Sequence, residues 1–578
     1  MSRNAESHFS KLPSAEISRS RFDRSSTHKT TFNAGKLVPI FVDEVLPGDT
    51  FSMDVASLVR MSTPIFPVMD NAYMDTYFFF VPNRLVWDHW KEFNGENNST
   101  YWTQPVEYSV PTISAYTGGD AGWYKGSVAD YMGIPTYVGN FSVNALPFRA
   151  YALIWNEWFR DQNTMAPAEF YKDDTNRVGV NTSGHDIDYA RTTAHLGGDL
   201  LPVCKYHDYF TSCLPAPQKG PAVQIPFMEG LIPVTSRSAT VDYNIYATGT
   251  GDEAGRPLGS PLEVTTDPYN HTSPFTGGMR VDGNVVGGLR GTTNASAEPL
   301  YPTNLWASLS GNYGPTINEL RTAFQIQKLY EKDARGGTRY TEILKMHFGV
   351  DSPDARLQRP EYLGGKRIPI NIDQVLQTSS TDATSPQGNT AAYSLTVDTD
   401  SSFTKSFTEH GFIIGLACVR TDHTYQQGLD KMWSRRRRFD YYWPALANIG
   451  EQAVLKKEIY LGDYGTDDET VGTNFNGEAF GYQEAWAEYR YKPNRVSGAF
   501  RSNVEGSLDS WHYADFFDTD PMNFVVQEDF IAETDVNINR TLAVQSSLED
   551  QFIADFYFKC DCIRPMPLYS IPGLIDHH

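Results

Sequence analysis

The residues best suited to binding chemistry are four consecutive arginines in the segment KMWSRRRRFDYYWP: Arg435, Arg436, Arg437 and Arg438. Aromatic side chains flank the run, namely Trp433, Phe439, Tyr441, Tyr442 and Trp443. Guanidinium groups contact phosphates in a bidentate manner and aromatic rings stack on bases, so this combination suits single-stranded nucleic acid. Arginine is also favoured at protein interfaces, where the run could form salt bridges between subunits. The sequence leaves both interpretations open.

A second group of basic residues lies near the N-terminus. Within the first thirty residues, Glu6, Glu16 and Asp23 are outnumbered by Arg3, Lys11, Arg19, Arg21, Arg24 and Lys29. The whole chain of 578 residues has a formal net charge of -22, so a nucleic-acid contact must be local. We expect residues 1–35 to be a basic arm that orders only against a partner, or else a disordered tail. Arg19, Arg21 and Arg24 are therefore further nucleic-acid candidates.

Three other groups contain residue types that could form a site. Cys204, His207 and Cys213 in CKYHDYFTSC could ligate zinc, but their spacing matches no standard finger and no fourth ligand is nearby. The GTDDET loop could bind a divalent cation, although a solvated acidic tip is the preferred interpretation. Cys560 and Cys562 are separated by one residue on an expected strand, which favours a core pair over a redox couple. We therefore predict no metal site and no cofactor.

The motifs of common enzymes are missing from the sequence. It has no GxxxxGK[ST] phosphate loop, no HExxH metal helix and no GxSxG nucleophile elbow. Five cysteines in so long a chain are too few for a disulfide scaffold, and we expect free thiols. The first residues carry charges without a following apolar stretch, so neither a signal peptide nor a membrane anchor is expected. We assign no catalytic residue and expect a protein that is not an enzyme.

The elements that must position these residues are mostly strands. The chain contains 33 Tyr, 33 Phe, 45 Gly and 34 Pro, a mixture typical of strands joined by ordered loops. KLVPIFVDEVLPGDTFSMDV predicts strands from residue 36 on either side of a Pro-Gly-Asp turn. YMDTYFFFV, residues 73–81, predicts a fully buried strand that stops at Pro82. The alternation of residues 552–562 predicts a half-buried strand with Cys560 and Cys562 on its apolar side.

Two helices and several insertions interrupt the strands. The segment PFRAYALIWNEWFRDQN has an apolar stripe and predicts the first helix. The segment TINELRTAFQIQKLYEKDARGG predicts the second, with a stripe that begins at Ile317, Leu320 and Phe324. Thr316 and Glu319 form a capping box at its start, and Gly336 is expected to end it. Both stripes are expected to pack in the core. Residues 230–312 are rich in Gly, Thr, Asn and Asp and predict an exposed excursion, while residues 377–394 and 462–481 predict polar loops. Residues 566–578 are expected to be a tail.

Several long stretches resemble the major capsid protein of the Microviridae, especially the gokushovirus branch, which are small bacterial viruses with circular single-stranded DNA. The resemblance covers most of residues 30–225 and 315–500. Its clearest segments are FNAGKLVPIFVDEVLPGDTF, TPIFPVMDNAYMDTYFFFVPNRL, LPFRAYALIWNEWFRDQN, CKYHDYFTSCLPAPQKG, DARGGTRYTEILKMHFGVDSPDARLQRPEYLGG, FTEHGFIIGLACVR, FDYYWPALANIGEQAV and FGYQEAWAEYRYKPNRVSG.

The resemblance implies a mainly-β fold, an eight-stranded antiparallel jelly roll of the viral capsid type, with long loop insertions and a few short helices. Residues 36–565 would form this single domain and assemble as a T=1 icosahedral shell around the genome. The implied partners are other copies of the chain, a small basic DNA-packaging protein, a pilot or minor virion protein, an internal scaffolding protein, the single-stranded DNA genome and a host receptor. The protein would be a virion component assembled in the host bacterial cytoplasm.

The resemblance also implies that the subunit has an outer side and an inner side with different roles. In the gokushovirus branch an insertion forms protrusions at the three-fold axes, and residues 230–312 are the candidate here. The N-terminal arm and the arginine run are expected to face inward, and the outer loops to contact the host surface. A carbohydrate-binding or hydrolytic β protein is the alternative class, because jelly rolls also occur in lectins and sugar enzymes.

Overall fold

The computed structural model describes residues 18–96, 106–117, 121–179, 198–221, 223, 317–336, 339–351, 353, 358–379, 381, 386–462, 475–517 and 524–569, and the backbone of short strands between 264 and 302. The chain divides into two compact units. The first consists of Met1–Lys219 and Glu331–His578, and the second is Gly220–Tyr330. The candidate excursion at residues 230–312 falls within the second unit. Its boundaries as a surface feature stay a prediction.

The strands of the described residues are, in chain order, β1 (Ser20–Asp23), β2 (Ser26–Phe32), β3 (Val38–Val45), β4 (Thr50–Met61), β5 (Ala72–Pro82), β6 (Thr112–Ser114), β7 (Ser142–Asn144), β8 (Arg177–Val178), β9 (Val264–Thr265), β10 (Met279–Val281), β11 (Leu289–Thr293), β12 (Ser296–Glu298), β13 (Tyr301–Pro302), β14 (Glu361–Pro369), β15 (Ile372–Leu376), β16 (Thr390–Ser394), β17 (Thr396–Ser406), β18 (Gly411–Thr421), β19 (Thr424–Tyr425), β20 (Glu451–Leu455), β21 (Ala479–Glu484), β22 (Asn494–Arg495) and β23 (Phe552–Arg564).

The helices of the described residues are α1 (Trp90–Phe93), α2 (Val128–Tyr131), α3 (Leu146–Ile154), α4 (Ile317–Gly336), α5 (Tyr340–Phe348), α6 (Lys456–Ile459), α7 (Glu528–Ile531) and α8 (Val536–Asn539). A π-helical turn, Trp155–Phe159, continues α3 without a break. No helix within the described ranges is both long and apolar enough to cross a bilayer.

Two large antiparallel sheets form the centre of the first unit. The first sheet has the order β1-β23-β4-β17. β2 also pairs with β23, on the same edge as β1 and next to it along the strand. The second sheet has the order β14-β5-β18-β3. The expectation of a mainly-β fold with antiparallel sheets is confirmed, whereas α4, with 20 residues, is longer than the short helices that were expected.

Aromatic side chains join the two sheets. The ring of Phe78 on β5 lies 5.6 Å from that of Phe403 on β17 and 6.4 Å from that of Phe558 on β23, centroid to centroid. Phe41 on β3 contacts Phe558 at 5.0 Å. Gly415 on β18 makes room for this cluster, because a Cβ there would lie 2.7 Å from the Phe78 ring. The core of the first unit is thus an interdigitated layer between two sheets.

The two sheets bury their strands differently, as the sequence predicts. β23 alternates buried and more exposed residues, with Cys560 and Cys562 on the buried side, so the first sheet has one open face. β5 and β18 are buried almost throughout. A cover over the second sheet explains this: α3 contacts it, and the Tyr151 hydroxyl donates to the Leu37 carbonyl at 2.8 Å. The predictions for residues 73–81 and 552–562 are confirmed.

Two expectations are wrong in part. Residues 20–32 of the expected arm form β1 and β2, which pair with β23 of the same chain. The residues of β23 that pair with Phe22, Thr30 and Phe32 lie more than 500 positions further along the sequence. Both predicted helices exist, as α3 and α4. Phe324, expected in the core, is however 60% exposed, so the α4 stripe is not fully covered by the described residues.

Candidate nucleic-acid interface

The arginine run lies in the connection between β19 and β20, which is built from single 3₁₀ turns rather than long elements. The carboxylate of Asp440 accepts the backbone N–H groups of Arg436 and Arg437 at 2.8 and 2.7 Å. These hydrogen bonds lower the pKa of Asp440 and fix the backbone of the run. One acidic residue thus holds the loop that presents the arginines.

Arg435 is placed differently from the other three. Its side chain is only 9% exposed and donates to the Glu488 carboxylate at 2.7 Å. Its guanidinium lies over the ring of Tyr489, 4.2 Å from the centroid. These contacts join the run to the segment after β21, so Arg435 serves in the subunit structure.

Arg436, Arg437 and Arg438 are exposed, and so are the aromatic residues around them. Trp433 is 67% and Phe439 69% exposed, and the guanidinium of Arg438 lies 4.8 Å from the centroid of the Trp443 ring. We call this set the arginine–aromatic surface: Trp433, Arg436, Arg437, Arg438, Phe439, Tyr441, Tyr442 and Trp443. It combines cations that can contact phosphates with π faces that can stack on bases.

A neighbouring segment supports this surface. Trp486 has a positive φ of 65°, donates its indole N–H to the Leu446 carbonyl at 2.9 Å and packs edge-on against Tyr442. Sequence reasoning did not connect Glu488 and Tyr489 with the arginine run. The aromatic-rich segment AWAEYRY, residues 485–491, was the one available signal. Its sequence does not show that it contacts the arginine run, which lies about 50 positions earlier in the chain.

The N-terminal candidates occupy another part of the molecule, on and beside β1. Arg21 forms a two-point contact with Asp561 on β23, including Nε to Oδ1 at 3.0 Å, and Arg24 donates to Asp43 at 2.6 Å. Arg19 is exposed. Further along the same sheet face, Lys29 pairs with Asp555 and Lys559 with Asp54, both at 3.2 Å. The charges on this face are therefore largely compensated within the chain.

The candidate zinc ligands Cys204, His207 and Cys213 lie in different environments. Cys204 donates to the Phe159 carbonyl at 3.3 Å and Cys213 to the Tyr209 carbonyl at 3.4 Å, while His207 is exposed. Burial raises the pKa of Cys204 to about 12, and burial also raises the pKa of Cys213 well above its ordinary value. No group of three or more His, Cys, Asp and Glu is arranged to hold a metal within the described part of the chain.

A buried charged cluster, which sequence reasoning missed, lies near the end of β18. The His423 ring nitrogens lie 2.8 Å from the Asp515 carboxylate and 3.0 Å from that of Glu533, so a charged imidazole donates to both. Asn537 also donates to Asp515 at 2.6 Å. All four side chains are buried. The contacts of His423 with Asp515 and Glu533 join segments more than 90 residues apart in the chain.

Comparisons with known proteins find relatives over nearly the whole chain. The family described as "Capsid protein (F protein)" matches residues 10–574. "Capsid protein VP1" of Chlamydia phage 1 is 42% identical over 590 residues, which cover 98% of this chain and 97% of the relative. The proteins of the same name from Bdellovibrio phage phiMH2K and Spiroplasma virus 4 are each 42% identical, over 99% of this chain and 98% of each relative. The resemblance to Microviridae capsid proteins is confirmed, and the chain belongs to the capsid protein (F protein) family, whose members are structural components of a viral shell.

Proposed function

We propose that this chain assembles as a T=1 icosahedral shell around the circular single-stranded DNA genome of a bacterial virus. The observation that carries the genome contact is the arginine–aromatic surface. In a chain with a net charge of -22, it gathers three exposed arginines among exposed aromatic rings. This is the composition with which proteins bind single strands without reading their sequence.

The subunit that forms the shell is proposed to be an eight-stranded jelly roll. The strand order supports this. If β1 is treated as an extension of β2, the eight strands β2, β3, β4, β5, β14, β17, β18 and β23 form two four-stranded sheets with orders 2-23-4-17 and 3-18-5-14. In both sheets the last strands of the chain insert beside the first ones, which is the arrangement produced by two interleaved Greek keys.

The arginine–aromatic surface is proposed to face inward. Arg436, Arg437 and Arg438 would contact DNA phosphates while Trp433 and Phe439 stack on bases, and Arg435 would keep the loop in place through Glu488. Contact with a neighbouring subunit is the competing role for the same surface, because Trp, Tyr and Arg are also the usual anchors of interfaces.

Arg19, Arg21 and Arg24 are proposed as secondary contacts on the same inner side. Arg21 and Arg24 already have the carboxylates of Asp561 and Asp43 as partners. A DNA phosphate would have to compete with these carboxylates, so we expect a smaller contribution from them than from the arginine run.

The second unit, Gly220–Tyr330, is proposed to carry the surface protrusion at residues 230–312. Its separation from the first unit as a compact body supports an insertion in the shell domain. This protrusion and the polar loops at 377–394 and 462–481 would contact the host surface. The remaining proposed partners are a small basic DNA-packaging protein, a pilot or minor virion protein and an internal scaffolding protein, with assembly in the host cytoplasm.

Particle formation and DNA content test the proposal together. The chain would be produced in bacteria with its scaffolding and packaging partners, and particles would be separated by density and examined for DNA. Closed shells are expected, and replacing Arg436, Arg437 and Arg438 by Gln should give shells with reduced DNA. Full DNA in intact variant particles would remove the genome contact. Loss of shells with a folded subunit would assign the surface to subunit contact instead.

A further inference from the structure

A large cavity lies on the outer face of the second sheet. Its volume is about 890 Å³, within the range of cavities that hold small organic ligands. The lining includes Tyr77 and Phe79 of β5 and Arg420 of β18, together with residues 158–163, 204–207, 211–214 and 334–336 and the side chains of Arg339 and Glu342. None of the residues proposed above for genome contact lines this cavity.

The wall beside α3 has an unusual backbone. The π-helical turn Trp155–Phe159 ends at Arg160, and Trp158, Phe159 and Arg160 all line the cavity. A π-helical turn inserts one extra residue into a helix and re-aims the side chains beyond it, and such turns occur frequently at functional sites. Here it directs two aromatic residues and one arginine to the same space.

Most of the basic residues around the cavity already have a carboxylate partner. Arg367 and Arg420 share Asp75, with Nε to oxygen distances of 3.0 and 3.2 Å. The other pairs are Lys205 with Asp515 at 3.8 Å, Arg335 with Glu451, and Arg339 with Glu342 at 3.2 Å. These cations are neutralised within the subunit.

Arg160 is different from these cations. It donates one hydrogen bond, to the Met165 carbonyl at 2.9 Å, and forms no ion pair with any residue of the described ranges. Its Nε–H and that of Arg339 are buried without an acceptor among those residues. Arg339 approaches so closely that it donates to the Arg160 carbonyl at 2.9 Å. Burial, and next the charge of Arg339, lower the pKa of Arg160 and outweigh the opposite influence of the Glu157 and Asp161 carboxylates.

Aromatic side chains form another part of the cavity lining. Tyr362 is 41% exposed, with its ring 5.5 Å from that of Phe79 and 5.9 Å from that of Trp158, centroid to centroid. Phe159 packs edge-on against Tyr77 at 5.1 Å. The lining therefore combines these aromatic rings with the guanidinium groups of Arg160 and Arg339, of which only that of Arg339 forms an ion pair with a carboxylate of the described residues.

We propose that this cavity binds a small phosphate monoester with a planar ring, such as a nucleoside monophosphate, with its phosphate at Arg160 and Arg339. A dianionic monoester offers more charge to two adjacent guanidinium groups than a carboxylate or the singly charged diester of a DNA backbone. The ring would pack against Tyr362 and Phe159. The bound ligand would join the end of α3, the residues before α5 and the second sheet.

Thermal melting of the full chain, with thymidine monophosphate, inorganic phosphate or thymidine added, tests the proposal. The monophosphate should raise the melting temperature in a saturable manner, inorganic phosphate should do so more weakly, and thymidine should not. Arg160→Gln keeps a donor for the Met165 carbonyl and should weaken monophosphate binding at least about tenfold. The control Lys345→Gln changes an exposed cation on α5 and should bind as the unchanged chain does.

Two further measurements keep the proposal open to contradiction. Since a phosphate monoester has a second pKa of about 6, binding to the unchanged chain should weaken as the pH falls from 7.5 to 5.5. This readout does not require the variant to fold. A melting temperature insensitive to the monophosphate, or equal affinity in Arg160→Gln, would overturn the proposal. So would a DNA oligonucleotide with a 5′-hydroxyl that binds as tightly as the monophosphate and loses that binding in Arg160→Gln.

Discussion

The aromatic residues between the two sheets and those of the arginine–aromatic surface are of the same types but differ in their surroundings. Phe78 and Phe558 are at most 1% exposed and contact other rings across the sandwich, whereas Trp433 and Phe439 are more than 60% exposed. Burial of the first group drives folding of the subunit, because removing apolar area from water is the largest favourable contribution to stability. The second group contributes little to folding and is available for assembly or for the genome.

Charged residues show the same division. His423, Asp515 and Glu533 are buried and satisfy one another, and Asp75 holds two arginines. On the surface, Arg436, Arg437 and Arg438 are presented to solvent by a loop whose backbone Asp440 fixes. If the surface arginines act in assembly or genome contact as proposed, stability and this role depend on separate residues, and substitutions should affect one without the other.

The largest expected effect is on the sandwich core. Phe78→Ala would remove a fully buried ring that contacts Phe403 and Phe558 and should lower the free energy of unfolding by about 3–5 kcal/mol. Urea denaturation of the unassembled subunit measures this change. A loss below about 1 kcal/mol would show that the two sheets do not share this core.

The next effect is a pH dependence that originates in the buried cluster. Burial disfavours the charged imidazole, but the carboxylates of Asp515 and Glu533 outweigh it and raise the pKa of His423 to about 9. Because the folded-state pKa exceeds the unfolded value of about 6.5, this stabilisation is complete below pH 6.5 and is lost as the pH rises through 9. The free energy of unfolding should fall by up to about 3 kcal/mol across that interval.

The variant His423→Gln isolates this contribution. It should be less stable than the unchanged chain at pH 6.5, and the difference should shrink at pH 9.5. Urea denaturation at both pH values gives the comparison. An identical pH dependence in the two proteins would assign the effect to other groups.

A smaller effect, on binding rather than folding, is expected from the arginine–aromatic surface. Replacing Arg436, Arg437 and Arg438 by Gln should leave the free energy of unfolding within about 0.5 kcal/mol. It should weaken binding to an oligo(dT) strand and reduce the slope of log affinity against log salt by about 2, because each lost phosphate contact on a single strand removes about 0.7. Fluorescence anisotropy over a salt series measures the slope.

Lys345→Gln is the matched control for that series, since it removes one exposed cation from α5. Its salt slope should equal that of the unchanged chain. If the triple variant also keeps the original slope, the surface does not bind DNA and its exposed rings are left to contact neighbouring subunits.

The smallest effect is expected for Phe439→Ala. The Phe439 ring is 69% exposed, so its removal should change the free energy of unfolding by less than about 0.5 kcal/mol, in contrast to Phe78→Ala. Stacking on bases would still make the variant bind oligo(dT) more weakly, by about 1–3 kcal/mol. A stability loss as large as that of Phe78→Ala would erase the distinction between the two regions.

The sequence predicts those elements whose pattern is local. The apolar run at 73–81, the alternation at 552–562 and the stripe at 148–159 each identify the observed element, because periodicity depends on which face is buried. It does not reveal the π-helical turn after Ile154, which depends on how the helix end packs. It also assigns residues 20–32 to an arm, because the strand that pairs with them lies at the other end of the chain.

The candidate site was predicted only in part for the same reason. The arginine run and its flanking aromatic residues can be recognised in the sequence. The burial of Arg435 against Glu488 and Tyr489 cannot, because Arg435 and Glu488 are 53 residues apart in the chain. The His423 cluster and the Arg160–Arg339 pair have no sequence signal, since their members come from distant segments and are ordinary residues individually.

An electron cryomicroscopy reconstruction of particles assembled from this chain is the most direct test of a shell-forming subunit with separate structural and genome-binding regions. We predict a closed T=1 shell in which the two sheets form one jelly roll and Arg436, Arg437 and Arg438 lie on the inner surface. A chain that remains monomeric under every assembly condition, or a shell with these arginines on its outer surface, would contradict this prediction.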